Sequence, residues 1–201
     1  MKKFEPAQDG DESRPAPLDA DERTEAPTDV SWPARAAKIS AKPHPRDAGT
    51  ALFMQLWRSD GHGLELNDAE MRALAQYLDF ALVPAGAELI AQDERGDFLL
   101  VLLEGRIGVE HVRPSGERPR LAEARAGDLL GEMSLLDAGP RSTACTTRTP
   151  CLVAVLEARR LDAMMESAPR LALAVVTALA RRLSLRLREV SARLSALLGG
   201  A

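Results

Sequence analysis

Between about residue 81 and residue 157 the chain is cut into short apolar runs by glycine, proline and aspartate. No other feature narrows the fold as much. Candidate strands fall at 87–91, 98–103, 106–112, 118–124, 129–130, 143–147 and 152–156. Turn signals separate them at Pro84-Ala85-Gly86, Glu104-Gly105, Pro114-Ser115-Gly116 and Ala126-Gly127-Asp128. Regularly spaced short strands with such punctuation predict an antiparallel sandwich or barrel. Pattern alone stops there.

Within this region lies Gly131-Glu132-Met133-Ser134-Leu135-Leu136-Asp137-Ala138-Gly139-Pro140-Arg141-Ser142-Thr143-Ala144. Its residue types suit a sugar held beside a phosphate. The Glu132 carboxylate is acceptor-only and can take hydrogen bonds from a sugar hydroxyl. Arg141 can fork two N–H donors onto phosphate oxygens. Gly131 carries no side chain, so a ligand can approach its backbone. A short turn anchored by Leu135 and Leu136 would aim the free amides after Glu132, those of Met133 and Ser134, at an anion. Ser142 and Thr143 add hydroxyls beside it.

This string resembles the phosphate-binding cassette of the cyclic nucleotide-binding domain family, with eight residues between Glu132 and Arg141. Two further stretches match in order. Gly96-Asp97-Phe98 through Gly108-Val109 is similar to the family's early hairpin, and Ala126-Gly127-Asp128-Leu129-Leu130 to the strand entering the cassette. Leu130 departs from the family's usual Phe before Gly131. The resemblance covers about residues 50–198. It implies a mainly β fold with flanking helices: an eight-stranded, jelly-roll-like β-roll with N-terminal helices and a long C-terminal dimerisation helix.

Three segments are expected. Residues 1–48 read as a disordered extension, because they hold seven of thirteen prolines and residues 1–30 carry nine acidic against four basic side chains. Too little apolar surface is present to offset the entropy of ordering. Trp32 and Ile39 among Arg35, Lys38, Lys42 and Arg46 leave two readings open, a docking peptide or a solvated linker. Residues 49–168 form the β-roll with flanking helices, with order beginning near Thr50. Leu52, Phe53, Leu56 and Trp57 share one helical face. Asn67 with Glu70 three residues on predicts a capping box, followed by the stripe Met71, Leu74, Ala75, Leu78.

Residues 169–198 form the third segment, opened by Pro169 as a first-turn proline. Leu173, Val176, Ala180, Leu183, Leu187, Val190, Leu194 and Leu197 recur at 3-4 spacing, a seam for a homodimer through residues 173–197. Leu171, Val175 and Leu179 line a second face in the first half alone, suited to packing on the β-roll. The family resemblance places Arg186 and Leu187 where this helix caps the base. Arg186 would stack on the base or hydrogen-bond to it, or stand as a solvated flanking residue.

The net charge of −4 disfavours a generally basic nucleic-acid binder. The start lacks the apolar run of a signal peptide, and no window reaches the length of a membrane span, so a cytoplasmic protein is expected. Cys145 and Cys151 are too few for a disulfide framework and read as buried thiols on strands. His44, His62 and His111 stand apart, so neither a metal nor an enzyme is expected. The leading reading is a stand-alone cyclic nucleotide receptor, cyclic AMP before cyclic GMP, that moves its C-terminal helix and engages an unidentified protein effector. A cyclic dinucleotide is a further possibility. Direct, sequence-specific DNA binding is not expected, since the sequence ends within three residues of the long helix. The alternatives are a ligand-free dimeric scaffold and a transcription regulator acting through a partner.

Overall fold

The computed structural model describes residues 30–60 and 65–199. Among these the elements run α1 (Trp32–Lys38), β1 (Lys42–Pro43), α2 (Arg46–Asp60), α3 (Asp68–Ala75), β2 (Asp79–Val83), β3 (Glu88–Ile90), β4 (Phe98–Glu104) and β5 (Ile107–Glu110). They continue with β6 (Arg120–Ala124), β7 (Leu129–Leu130), α4 (Glu132–Asp137), β8 (Ala144–Thr147), β9 (Cys151–Glu157), α5 (Ala158–Ser167) and α6 (Pro169–Gly199). Strands order as β1-β2-β9-β4-β7 in one sheet and β3-β8-β5-β6 in the other, every pairing antiparallel. The eight strands β2–β9 make the expected roll, and β1 adds a two-residue edge strand.

Side-chain alternation explains the three layers. Along β9, Cys151, Val153 and Val155 enter the core between the sheets. Leu152, Ala154 and Leu156 enter a second core under the helices. β4 divides likewise, with Phe98, Leu100 and Leu102 between the sheets and Leu99 and Leu103 under the helices. Successive side chains of a strand point to opposite faces, so a strand covered on both sides reads as a continuous apolar run. The helical layer is closed by Met71 and Leu74 of α3, Leu161 and Met164 of α5, and Leu171, Val175 and Leu179 of α6, each 6% exposed or less.

Several expectations hold in detail. The Asn67 carboxamide accepts from the amides of Ala69 and Glu70 at 3.0 and 2.9 Å, and the Glu70 carboxylate accepts from the Asn67 amide at 2.9 Å. Both cysteines are buried, reduced and on strands. Pro169 opens α6, whose seam residues Leu187, Val190, Leu194 and Leu197 are 54–78% exposed.

Others need correction. Residues 30–48 are not disordered: α1, β1 and the start of α2 occupy them, so order begins well before Thr50. Proline sits in the first turn of α1, and Trp32 and Arg35 are 5% and 2% exposed. A composition window averages those anchors with polar neighbours and loses them. The expected disorder of residues 1–29 lies outside the described residues. Helix α3 ends at Ala75, so Leu78 is a buried residue beyond it. Strand β2 and helix α5 were not anticipated as elements.

Candidate functional site

Pairing of β7 with β4 sets Leu130 opposite Leu100 at the edge of the five-stranded sheet. The chain leaves that edge through Gly131, whose φ of 81° lies in the left-handed region and suits a residue without Cβ. A Cβ there would also strike the Arg141 guanidinium and come within 3.1 Å of Ile90 Cδ1. Helix α4 follows at once. Leu135 packs on the helical core, whereas Leu136 is 45% exposed, so one leucine of the expected pair anchors the turn.

A cleft opens beside α4. Ile90, Val109 and Cys145 from the four-stranded sheet form its apolar side. Gly131, Glu132, Met133, Ser134, Arg141, Ser142, Thr143 and Arg186 also line it. Thus eight of the nine expected site residues meet around one cavity. Leu187 does not: it is 67% exposed on α6 and belongs to the unpartnered seam instead.

Arg141 is 2% exposed. Its Nη1 donates to the Gly131 carbonyl at 2.8 Å and its Nη2 to the Phe98 carbonyl at 2.6 Å. The guanidinium carbon stands 4.9 Å from the Phe98 ring centroid, a cation–π distance. Its Nε is buried without a hydrogen-bond partner among the described residues. Burial pushes the Arg141 pKa down, opposed by the charges of Glu94 and Asp97. Both observed hydrogen bonds go to neutral carbonyls, which leaves a desolvated cation facing a cavity. An anion there would relieve the cost of that burial.

Glu132 is also buried, at 5% exposure. Its Oε1 accepts from Arg186 Nη1 at 3.2 Å, not from Arg141. A Glu132–Arg141 bridge holding the loop is therefore not the arrangement found. Arg182, one turn earlier on α6, donates through Nη1 to the Gly127 carbonyl at 2.6 Å. So α6 is tied to the strand that enters the cassette as well as to the cassette itself. Sequence reasoning missed Phe98 as the seat of Arg141, because the contact spans 43 residues. The Cys145 thiol faces the same cleft, and burial pushes its pKa up to about 12, so it stays protonated.

Among the described residues no group of three His, Cys, Asp or Glu side chains is placed to hold a metal. No helix among them is long and apolar enough to cross a membrane.

The sequence model of the family described as "Cyclic nucleotide-binding domain" matches residues 81–168. A CRP-like cAMP-activated global transcriptional regulator of Mycobacterium tuberculosis is 29% identical over 55% of this chain and 50% of its own length. The chain thus spans about half the length of the curated relatives it matches. A solved cyclic nucleotide-binding domain from Methylobacillus flagellatus is 29% identical, with TM-score 0.66 over 73% of this chain and 83% of that one. The N-terminal domain of a Streptomyces coelicolor transcriptional regulator is 30% identical, with TM-score 0.54 over 60% of this chain and 86% of that one. With a two-sheet roll, a cassette between β7 and β8 and these likenesses together, the chain belongs to the cyclic nucleotide-binding domain family.

Proposed function

We propose that this chain is a receptor for a cyclic nucleotide, cyclic AMP first and cyclic GMP second. The observation that carries the reading is Arg141: a buried guanidinium with an unpartnered Nε, on the wall of a cavity that also holds a buried carboxylate. Arg141, with Ser142 and Thr143, receives the phosphate, and Glu132 with the Gly131 backbone receives the ribose hydroxyl. Met133 and Ser134 complete the wall. Preference for cyclic AMP is supported by the name of the mycobacterial relative, which is cAMP-activated. Charge-assisted hydrogen bonds of this kind contribute roughly 1.5–3 kcal/mol each.

Signalling then runs through α6. Its Arg186 bonds the ribose acceptor Glu132, and its exposed seam suits pairing with a second copy over residues 173–197. A ligand that engages Glu132 changes what Arg186 touches, and only such differential contacts can shift the helix. The effector on the receiving side is a protein of unassigned identity. Isothermal titration with cyclic AMP, cyclic GMP and cyclic di-GMP, repeated on Arg141→Lys, tests the reading. Saturable binding of one mononucleotide, weakened by the substitution, supports it. Absence of heat with all three from folded protein overturns it and favours a dimeric scaffold.

A further inference from the structure

The segment before the family match is built onto the back of the anion site. The Val30 amide donates to the Arg95 carbonyl at 2.8 Å, and Val30 bridges Gly96 in parallel. Two residues on, the Trp32 ring meets Phe98 edge-on, with centroids 5.6 Å apart and planes at 66°. Phe98 is the residue on whose ring and carbonyl Arg141 rests. Trp32, Phe98 and Arg141 therefore form one continuous stack from α1 to the cleft.

A second line of contacts runs beside the first. Arg35 is 2% exposed and ion-pairs with the Glu94 carboxylate, while its Nη1 donates to the Glu88 carbonyl at 3.3 Å. The Glu94 carbonyl accepts the Arg141 amide at 2.8 Å, and the Asp93 amide donates to the Arg141 carbonyl at 2.8 Å. Loop 91–97 is thus clamped between the N-terminal segment on one side and both main chain and guanidinium of Arg141 on the other. At Gly96 a Cβ would meet Arg141 Nη2 at 2.7 Å, so the loop backbone lies directly against the guanidinium.

We propose that Val30–Lys38 is a positioning element for the anion site, with Trp32 and Arg35 fixing the Arg141 side chain through Phe98 and Glu94. The inference rests on the receptor reading of Arg141. A docked segment holds the guanidinium in the cleft, and a displaced one releases Phe98 and Glu94 and with them the arginine. Because coupling between two sites is reciprocal, ligand binding also strengthens docking of the segment. A protein that captures residues 30–38 would lower ligand affinity by the same factor by which the ligand opposes its capture.

The test uses the full chain, with Trp32→Leu, Trp32→Phe and Arg35→Met set beside Phe53→Leu. Phe53 is buried in the other core, under the helices, and controls for loss of stability alone. Titration with cyclic AMP and cyclic GMP is expected to show Trp32→Leu and Arg35→Met weakened about tenfold, the scale of one hydrogen bond to a charged group. Trp32→Phe, which restores a ring against Phe98, should stay within about threefold of the parent. Phe53→Leu should bind normally despite a similar fall in melting temperature. Unchanged affinity in folded Trp32→Leu or Arg35→Met, or equal weakening in Phe53→Leu, overturns the proposal.

A ligand-free measurement accompanies it. The Arg141 Nε–Hε resonance, assigned by its loss in Arg141→Lys, sits beside the Phe98 ring and reports the stack through its ring-current shift. It should move in Trp32→Leu and Arg35→Met and hold still in Phe53→Leu. A resonance that ignores Trp32 and Arg35 overturns the positioning role. Should the parent bind no nucleotide, the receptor reading falls, and this resonance alone decides whether the segment governs the arginine.

Discussion

Arg186 Nη1 lies 3.2 Å from Glu132 Oε1, joining an arginine side chain that is 53% exposed to a carboxylate that is 7% exposed. The exposed partner makes the bridge a weak contributor to folding. Arg186→Ala is expected to change unfolding free energy by less than about 1 kcal/mol, read from urea denaturation. Glu132→Gln keeps the shape and removes the charge. Its expected effect is about a tenfold loss of cyclic nucleotide affinity by titration, the difference between a charge-assisted and a neutral hydrogen bond.

Arg141 has a structural duty apart from any ligand. Arg141→Ala strands the carbonyls of Gly131 and Phe98 and opens a void under Phe98, so it should destabilise the fold by about 2–4 kcal/mol. Arg141→Lys retains the charge and part of the volume and should lose less. Thermal melts of the two variants in the absence of nucleotide check the order. Binding data on the alanine variant alone would mix unfolding with loss of the site.

The two apolar faces of α6 should respond differently to the same substitution. Leu194 is 54% exposed and Leu171 is 6% exposed. Leu194→Asp is expected to give a folded protein that sediments as a monomer where the parent sediments as a dimer. Leu171→Asp should fail to fold, because it forces a carboxylate into the core under the helices. Sedimentation velocity with circular dichroism distinguishes the two outcomes.

Alkaline pH should weaken the fold through Cys145. Burial raises its thiol from the ordinary 9.0 to about 12, so the folded state holds a proton that the unfolded chain releases. That contribution is fully present below about pH 9 and is lost as pH climbs towards 12. Denaturation midpoints followed from pH 8 to 11 should fall, and Cys145→Ala should flatten part of the decline. In the folded parent the thiol should also react slowly with disulfide reagents at neutral pH.

What the sequence disclosed was whatever is local. The Asn67–Glu70 capping box spans four residues and appears as expected. The cassette from Gly131 to Thr143 was readable because its members follow one another along the chain. Strand β2 was missed because Asp79-Phe80-Ala81-Leu82-Val83 runs straight on from the apolar stripe of α3, leaving no punctuation. Non-local geometry was equally silent. Glu132 meets Arg186 across 54 residues, and Phe98 seats Arg141 across 43. Arg35 looked like one charge among several in a polar stretch, and only the fold shows it 2% exposed and paired.

Residues 184–197 of α6 are exposed throughout, while residues 171–179 carry its buried anchors. A helix of that length without support is marginal in water. Arg186 stands at the beginning of this unsupported stretch, so the lid side of the cleft inherits its order from whatever covers the seam. If the seam pairs two copies as proposed, mass action enters the ligand site: nucleotide affinity is expected to be lower at nanomolar than at micromolar protein, read by titration at the two concentrations. A dissociation constant for this protein would then be a function of how much of the protein is present.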